Sequence, residues 1–373
     1  MLKKPSYLYF ILALMLVFCA LLSTSYAINV SAKSAILIES DSGEIIYEKN
    51  ANQTLPMAST TKIMTAIIAI ENNNLNDKYK IPKEATGIEG SSIYLKEGEI
   101  LTVKELLYAL LLESANDASV ALALKTSGDV SLFADLMNQK ATELGLEMTH
   151  FVNPHGLDDD EHYTTANDLS KIARYAMQNP VFCEIVSSKK ATISSNNGEG
   201  ARVLVNHNKL LRLYDGANGI KTGYTKRCGR CFVSSATKDG VSLICVTLNA
   251  PNDWHDHSSL LDYGFENYES FSLANKGDYL LELDVVNGQK STVLVTNNEM
   301  FSKTLKKGAH DFSAVFESQR LLPAPISKGD ILGKIVFYDK DTKIGEINLT
   351  ATENIKDIKY KNFFERLFKN GKD

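Results

Sequence analysis

The chain has 373 residues, 44% hydrophobic and 23% charged, a balance that suits a globular protein with room for two domains and excludes a disordered or low-complexity chain. Its formal charge is −5 and no basic patch stands out in the main body, which argues against nucleic acid as a partner. Five cysteines in this length make no disulfide scaffold, so apolar packing has to hold the fold together.

The first 27 residues read as an export signal. Lys3 and Lys4 precede an apolar run from Tyr9 to Leu22, and Ser25-Tyr26-Ala27 offers small residues for cleavage after Ala27. An uncleaved anchor helix is the alternative, which the short apolar core disfavours. Phe18, directly before Cys19, is too bulky for a lipid-attachment site. Removing residues 1–27 leaves a formal charge of −7 and four cysteines: Cys183, Cys228, Cys231 and Cys245.

Apolar and polar residues alternate from Ser34 to Tyr47 around Asp41-Ser42-Gly43, which predicts a β-hairpin. Pro56 then leads into Ala58-Ser59-Thr60-Thr61-Lys62, followed by Ile63, Met64, Ala66, Ile67, Ile68 and Ile70. This reads as a buried helix whose first turn opens at Ser59. Residues three apart share a helix face, so the Lys62 amine falls beside the Ser59 hydroxyl as a base beside a nucleophile. Burial in the apolar helix and a second nearby cation would lower the Lys62 pKa enough for that role. Taken alone, S-x-x-K is also a chance pattern, and serine is an ordinary helix cap.

A polar stretch with short turns follows to Glu99, and then Leu101 to Leu112 repeats with helical spacing behind a Thr102 cap. It runs into Glu113-Ser114-Ala115-Asn116-Asp117, with further helices at Ala118–Lys125 and Ser131–Leu144 and a loop at Asn153-Pro154-His155-Gly156-Leu157. Thr165 and Asp168 form a capping pair, which gives Asp168 a structural explanation. Strands at Cys231–Ala236 and Val241–Leu248 flank the turn Lys238-Asp239-Gly240, and they place the preceding Lys221-Thr222-Gly223 at a sheet edge. Cys228 and Cys231 stand alone as C-x-x-C and read as loop and strand residues rather than zinc ligands. His255 and His257 read as part of a polar loop, and Ser258 to Tyr268 as a last helix. Strands at both ends with helices between them predict an α/β (α+β) layer in which the terminal strands pair.

After Phe271 the pattern changes to short strands, with hairpins around Asn287-Gly288 and Asp339-Lys340-Asp341 and a Pro-rich connection at Leu321–Pro325, which predicts a small all-β unit. The expected division is a signal at 1–27, a main domain at 28–271, a C-terminal β-sandwich at 272–350 and a tail at 351–373. Within the tail, Tyr360, Phe363, Phe364, Leu367 and Phe368 gather on one helical face with Lys359, Lys361, Arg366 and Lys369 on the other. Such a helix suits an anionic membrane surface; packing on the protein's own β-unit is the other reading.

Ser59-x-x-Lys62, Ser114-Ala115-Asn116 and Lys221-Thr222-Gly223, in this order, resemble the S-x-x-K, S-x-N and K-T-G motifs of penicillin-binding proteins and serine β-lactamases. The wider stretches Met57–Lys62, Asn153–Leu157, Asn206–Leu211 and Gly219–Thr225 narrow the likeness to the low-molecular-mass D-alanyl-D-alanine carboxypeptidases, from about Ser34 to the C-terminus. That resemblance implies a β-lactamase/transpeptidase-like fold, an antiparallel sheet flanked by helices, followed by a small all-β domain and often an amphipathic membrane tail. It implies an extracytoplasmic enzyme on the outer face of the cytoplasmic membrane that trims peptidoglycan stem peptides, is acylated by β-lactam antibiotics, and needs no metal or other cofactor. Ser59, Lys62 and Ser114 would be catalytic; Asn116, Lys221, Thr222, Gly223 and Tyr224 would bind substrate. Gly223 would leave the strand edge open for a pairing peptide. Two departures stand out: Asn252-Asp253-Trp254-His255-Asp256-His257 lacks the arginine by which some family members hold the substrate carboxylate, and Lys226-Arg227-Cys228 is unusually cationic, with Cys228 a candidate for oxidation at the pocket rim. A β-lactamase is one rival reading, although no Glu-x-x-Leu-Asn stretch lies between Asn116 and Lys221. A non-catalytic wall-binding scaffold is the other.

Overall fold

A computed structural model describes residues 28–195 and 200–358. The expected signal peptide and nearly all of the aromatic tail lie outside these residues. Strands β1 (Ser34–Glu39) and β2 (Ile45–Lys49) lead through a 3-10 turn at Ala58–Thr61 into helix α1 (Lys62–Asn72). A short ladder of β3 (Lys78–Lys80) with β4 (Ile100–Thr102) precedes α2 (Val103–Leu112), α3 (Asn116–Ser127), α4 (Val130–Glu143), α5 (Ala166–Met177) and α6 (Pro180–Ser187). An antiparallel pair, β5 (Lys190–Ser195) and β6 (Gly200–Val205), and a single turn α7 (Leu210–Leu213) follow. Then come β7 (Ala217–Thr225), β8 (Gly229–Lys238), β9 (Val241–Leu248) and α8 (Asp253–Asn267).

The main sheet runs β2-β1-β9-β8-β7 and is antiparallel throughout, with β1 pairing β9 from Ser34↔Leu248 to Glu39↔Leu243. The terminal strands therefore pair as expected, and β7 lies at an edge. Every residue of β1 is buried because both faces of the sheet are covered. Ile36 and Ile38 face a core shared with α1, α2 and α3, whereas Ala35 and Leu37 face Leu243, Cys245, Leu260 and Leu261 under α8. Helix α1 is buried from Lys62 to Ala69. Each apolar side chain buried there contributes about 1.5–3 kcal/mol, ample to hold the buried Lys62 amine in its first turn. Thr102 caps α2 in a full capping box with Glu105.

Two of the expected local features differ. Thr165 accepts from the Asp168 N–H at 3.0 Å, but the Asp168 carboxylate turns away to Met148 N–H (3.0 Å) and the Thr149 hydroxyl (2.9 Å), tying the preceding loop to α5. His255 and His257 lie in the first turns of α8, not in a polar loop. His257 is fully buried with both ring nitrogens satisfied, by Ser234 Oγ at 2.6 Å and Thr247 Oγ1 at 2.9 Å, so it is a hydrogen-bonded core histidine.

Helix α8 runs directly into an all-β unit made of β10 (Tyr268–Ala274), β11 (Leu280–Val286), β12 (Thr292–Asn297), β13 (Phe301–Lys306), β14 (Phe312–Ser318), β15 (Leu322–Pro323), β16 (Ile331–Asp339) and β17 (Thr342–Ala351). A six-stranded sheet, β14-β16-β17-β12-β11-β15, and the pair β10-β13 enclose one core of Val293, Val295, Ile335, Phe337, Ile347 and Leu349. Strand β10 spans the boundary expected at 271, and Ile355, beyond residue 350, is 2% exposed in that core. Among the described residues no helix is long and apolar enough to cross a membrane.

Candidate active site

Three elements meet around Ser59: the 3-10 turn Ala58–Thr61 that carries it, the kink between α2 and α3, and edge strand β7. Ala58 takes a φ of +47°, which an L-residue adopts only when its surroundings hold it there. Those surroundings are hydrogen bonds from the Thr60 hydroxyl to Met57 O (2.6 Å) and from the Thr61 hydroxyl to Ala58 O (2.8 Å). Gly156 presses against the same turn, since a Cβ there would lie 2.0 Å from Ala58 O.

Lys62 Nζ touches three oxygens: Ser59 Oγ at 2.9 Å, Asn116 Oδ1 at 2.7 Å and the His155 carbonyl at 2.5 Å. The Asn116 amide is oriented by its Nδ2, which donates to Glu89 O at 2.6 Å, so its oxygen must face the lysine. Asn116 Oδ1 and the His155 carbonyl can only accept, and a neutral amine has two N–H bonds to give them. Its lone pair is then left pointing at the Ser59 hydroxyl, which is the arrangement proton removal requires. Ser59 itself is half-buried and within reach of solvent.

The electrostatics agree with this geometry. Lys62 is wholly buried, and desolvation, helped by the neighbouring Lys221 cation, holds its pKa well below the usual lysine range against the opposing pull of Asp117. Burial brings Lys221 down to about 7, with Glu113 pulling the other way, and its Nζ donates to Thr222 O at 3.0 Å. Asp117 is buried and accepts from Ser92 Oγ (2.5 Å), Leu95 N–H (2.9 Å) and Ile93 N–H (3.3 Å), which fixes the loop on the Asn116 side.

The residues expected from sequence fall into place as follows. Ser59, Lys62 and Asn116 form one bonded cluster. Ser114 sits at the kink with φ +58° and is 5% exposed. Lys221, Thr222, Gly223 and Tyr224 lie along β7, where Tyr224 is largely exposed. At Gly223 a Cβ would lie 2.9 Å from Ser59 N and 3.1 Å from Thr60 N. Its missing side chain lets the strand close on the turn that carries Ser59. The His155 carbonyl, which completes the lysine's surroundings, was not singled out because a backbone acceptor leaves no mark in sequence. The nearest signal was the Asn153–Leu157 loop, pinned by Thr65 and Ser119 hydroxyls that both donate to Pro154 O.

Cys228 does not behave as an oxidisable rim thiol. It is 2% exposed, its thiol donates to Asp158 Oδ1 at 3.1 Å, and burial pushes its pKa up to about 11. The cationic rim is partly neutralised, since Arg227 pairs with Asp160 at 2.5 Å.

Comparison with known proteins shows the family of the chain. A family model described as D-alanyl-D-alanine carboxypeptidase matches residues 22–252, and one described as the C-terminal domain of penicillin-binding protein 5 matches residues 268–357. D-alanyl-D-alanine carboxypeptidase DacF of Bacillus subtilis is 34% identical over 345 residues, covering 90% of this chain and 88% of that protein. DacC of Escherichia coli, another D-alanyl-D-alanine carboxypeptidase, is 31% identical over 351 residues, covering 90% of this chain and 86% of its own. Among solved structures, a peptidoglycan synthesis regulatory factor (PBP3) of Streptococcus pneumoniae superposes with a TM-score of 0.76 at 28% identity, over 88% of this chain and all of that one. Penicillin-binding protein 5 of Haemophilus influenzae gives 0.69 at 29%, over 89% of this chain and 99% of that one. By sequence, fold and the meeting of the three motifs, the chain belongs to the D-alanyl-D-alanine carboxypeptidase family.

Proposed function

We propose that the protein is an exported serine carboxypeptidase that removes the terminal D-alanine from peptidoglycan pentapeptides through an acyl-enzyme on Ser59. The observation that carries this reading is the placement of Lys62, whose bonds to Asn116 Oδ1 and the His155 carbonyl leave its lone pair for the Ser59 hydroxyl. Lys62 takes the proton from Ser59 as the oxygen attacks the carbonyl between the two D-alanines. The N–H groups of Ser59 and Tyr224 hold the oxyanion, each such donor typically contributing ~3 kcal/mol. As the intermediate collapses the C–N bond breaks, Ser114 passes the proton from Lys62 to the departing amine, and D-alanine leaves. Asn116 holds Lys62 and the substrate amide, while Lys221 and Thr222 face the terminal carboxylate. Water then attacks the Ser59 ester, releasing the shortened peptide and returning the proton to the serine. A β-lactam is attacked by the same oxygen, and its ring-opened form stays on Ser59.

The remaining expectations fit this reading. The leader at 1–27 would export the chain, and the catalytic and all-β units, expected at 28–271 and 272–350, would instead divide where α8 meets β10, as 28–267 and 268–358. The aromatic tail would hold the enzyme on the outer face of the cytoplasmic membrane. The test is release of D-alanine from diacetyl-lysyl-D-alanyl-D-alanine by the chain without its leader. Release by wild type and none by Ser59→Ala is expected; no release by a folded wild-type protein would overturn the proposal.

A further inference from the structure

The nucleophile turn is braced from behind by a histidine that the catalytic cycle above does not use. His162 is 3% exposed and packs edge-on against Phe151, with ring centroids 5.7 Å apart. Its Nδ1 accepts from Val152 N–H at 3.1 Å, which places the ring proton on Nε2. Nε2 lies 2.7 Å from Thr61 Oγ1 and donates to it, and the Thr61 hydroxyl donates in turn to Ala58 O at 2.8 Å. Three hydrogen bonds thus run in one direction, from the Val152 amide through the imidazole and a hydroxyl to the carbonyl just before Ser59. That carbonyl belongs to the residue with φ +47°. The bonds pull on the one position of the turn where the backbone would otherwise relax. Burial holds the imidazole's pKa down at about 4, so the ring is neutral at pH 7 and carries a single N–H, which the Val152 amide assigns to Nε2.

We propose that His162 is a positioning residue for acylation: its Nε2–H, acting through Thr61, holds the Ala58 carbonyl and so keeps Ser59 aligned with Lys62. This rests on the reading of Ser59 as the nucleophile. A histidine kept only to satisfy Val152 would need an acceptor and nothing more, and it is the donor side that faces the turn.

The two sides of the ring can be tested separately. His162→Asn places an amide near the Nδ1 position and keeps the bond to Val152, whereas His162→Gln places one near Nε2 and keeps the donor to Thr61. Thr61→Val removes the hydroxyl at nearly constant shape, and Thr61→Ser retains it. The readout is stopped-flow acylation of the chain without its leader by a fluorescent penicillin, which separates the acylation rate constant from the initial dissociation constant. His162→Asn and Thr61→Val should lower the rate constant about tenfold, the effect of one lost hydrogen bond, with the dissociation constant within about threefold of wild type. His162→Gln and Thr61→Ser should recover most of that loss. If the His162 variants do not fold, the Thr61 pair makes the same comparison. Equal rates in all variants, or a Gln variant slower than the Asn variant, would overturn the inference. Nitrogen NMR of the resting protein reads the same chain of bonds without reference to activity. A proton on Nδ1 would sink the positioning role even if Ser59 is acylated normally, whereas failure of wild type to be acylated at Ser59 would sink the function from which that role follows.

Discussion

Replacing Gly223 by alanine is the sharpest steric test of how the site is assembled. The new Cβ would lie 2.9 Å from Ser59 N, 3.1 Å from Thr60 N and 3.2 Å from Ala58 Cβ, whereas ordinary contact begins near 3.4 Å. Strand β7 and the nucleophile turn would have to separate by about half an ångström. The two closest neighbours are backbone atoms, so no side-chain rotation relieves the clash. The turn cannot yield freely either, because Thr60, Thr61 and Gly156 pin it. Overpacking of this kind costs about 1–3 kcal/mol, which in a unit of this size lowers the melting temperature by on the order of 5 °C. Catalysis should suffer more, since the shift moves the Ser59 N–H away from the Tyr224 N–H with which it is proposed to hold the oxyanion. A displacement approaching 1 Å costs about a hundredfold in rate, so a loss of about ten- to a hundredfold in acylation is expected. Stopped-flow acylation and a thermal melt measure the two effects. A variant that acylates within twofold of wild type and melts unchanged would refute the close approach of strand and turn.

Other outcomes follow from the charges. Lys62→Arg keeps a cation that does not lose its proton, so acylation should fall by about a thousandfold while the protein still folds, as penicillin labelling and circular dichroism would show. Because the Lys62 pKa is lowered, the wild-type acylation rate should rise with pH on its acid limb as Lys62 loses its proton, and fall only where Lys221 loses its own near 7; a profile with no rising acid limb would contradict Lys62 as base. Lys221→Met should abolish D-alanine release and yet raise thermal stability near pH 8. The folded pKa of about 7 lies below the free-lysine value of 10.5, so between these values the unfolded chain keeps a proton that the folded protein gives up, and stability grows with pH through that window. The methionine variant removes this dependence; a melting temperature below wild type would count against desolvation of Lys221 in the folded protein. A chain ending at residue 358 should acylate like the full one but no longer sediment with anionic vesicles, and retained sedimentation would rule out the tail as anchor.

Much of this was legible in the sequence because the signals are local. The Asp239-Gly240 and Asn287-Gly288 turns, the Thr102 cap and the spacing of Ser59 to Lys62 each report a few neighbouring residues, and each lies where expected. The pairing of β1 with β9 followed from both being apolar runs at the ends of a helical stretch. What stayed hidden depends on distant partners. Strands β5, β6 and β14 carry exposed side chains with little apolar alternation, so only their ladder partners define them. His257 looked like part of a polar loop because Ser234 and Thr247, which satisfy it, come from other strands. Gly223 could be read as a strand-edge glycine, but the turn it accommodates lies more than 160 residues earlier in the chain.

The central claim is that Ser59, and no other nucleophile, is the group that Lys62 activates. Mass spectrometry of the protein after brief exposure to benzylpenicillin, followed by peptide mapping, tests it most directly. One ring-opened penicillin per chain, mapped to the peptide carrying Ser59 and missing from both Ser59→Ala and Lys62→Arg, is the predicted result. An adduct on any other residue, or full labelling of Lys62→Arg, would contradict it.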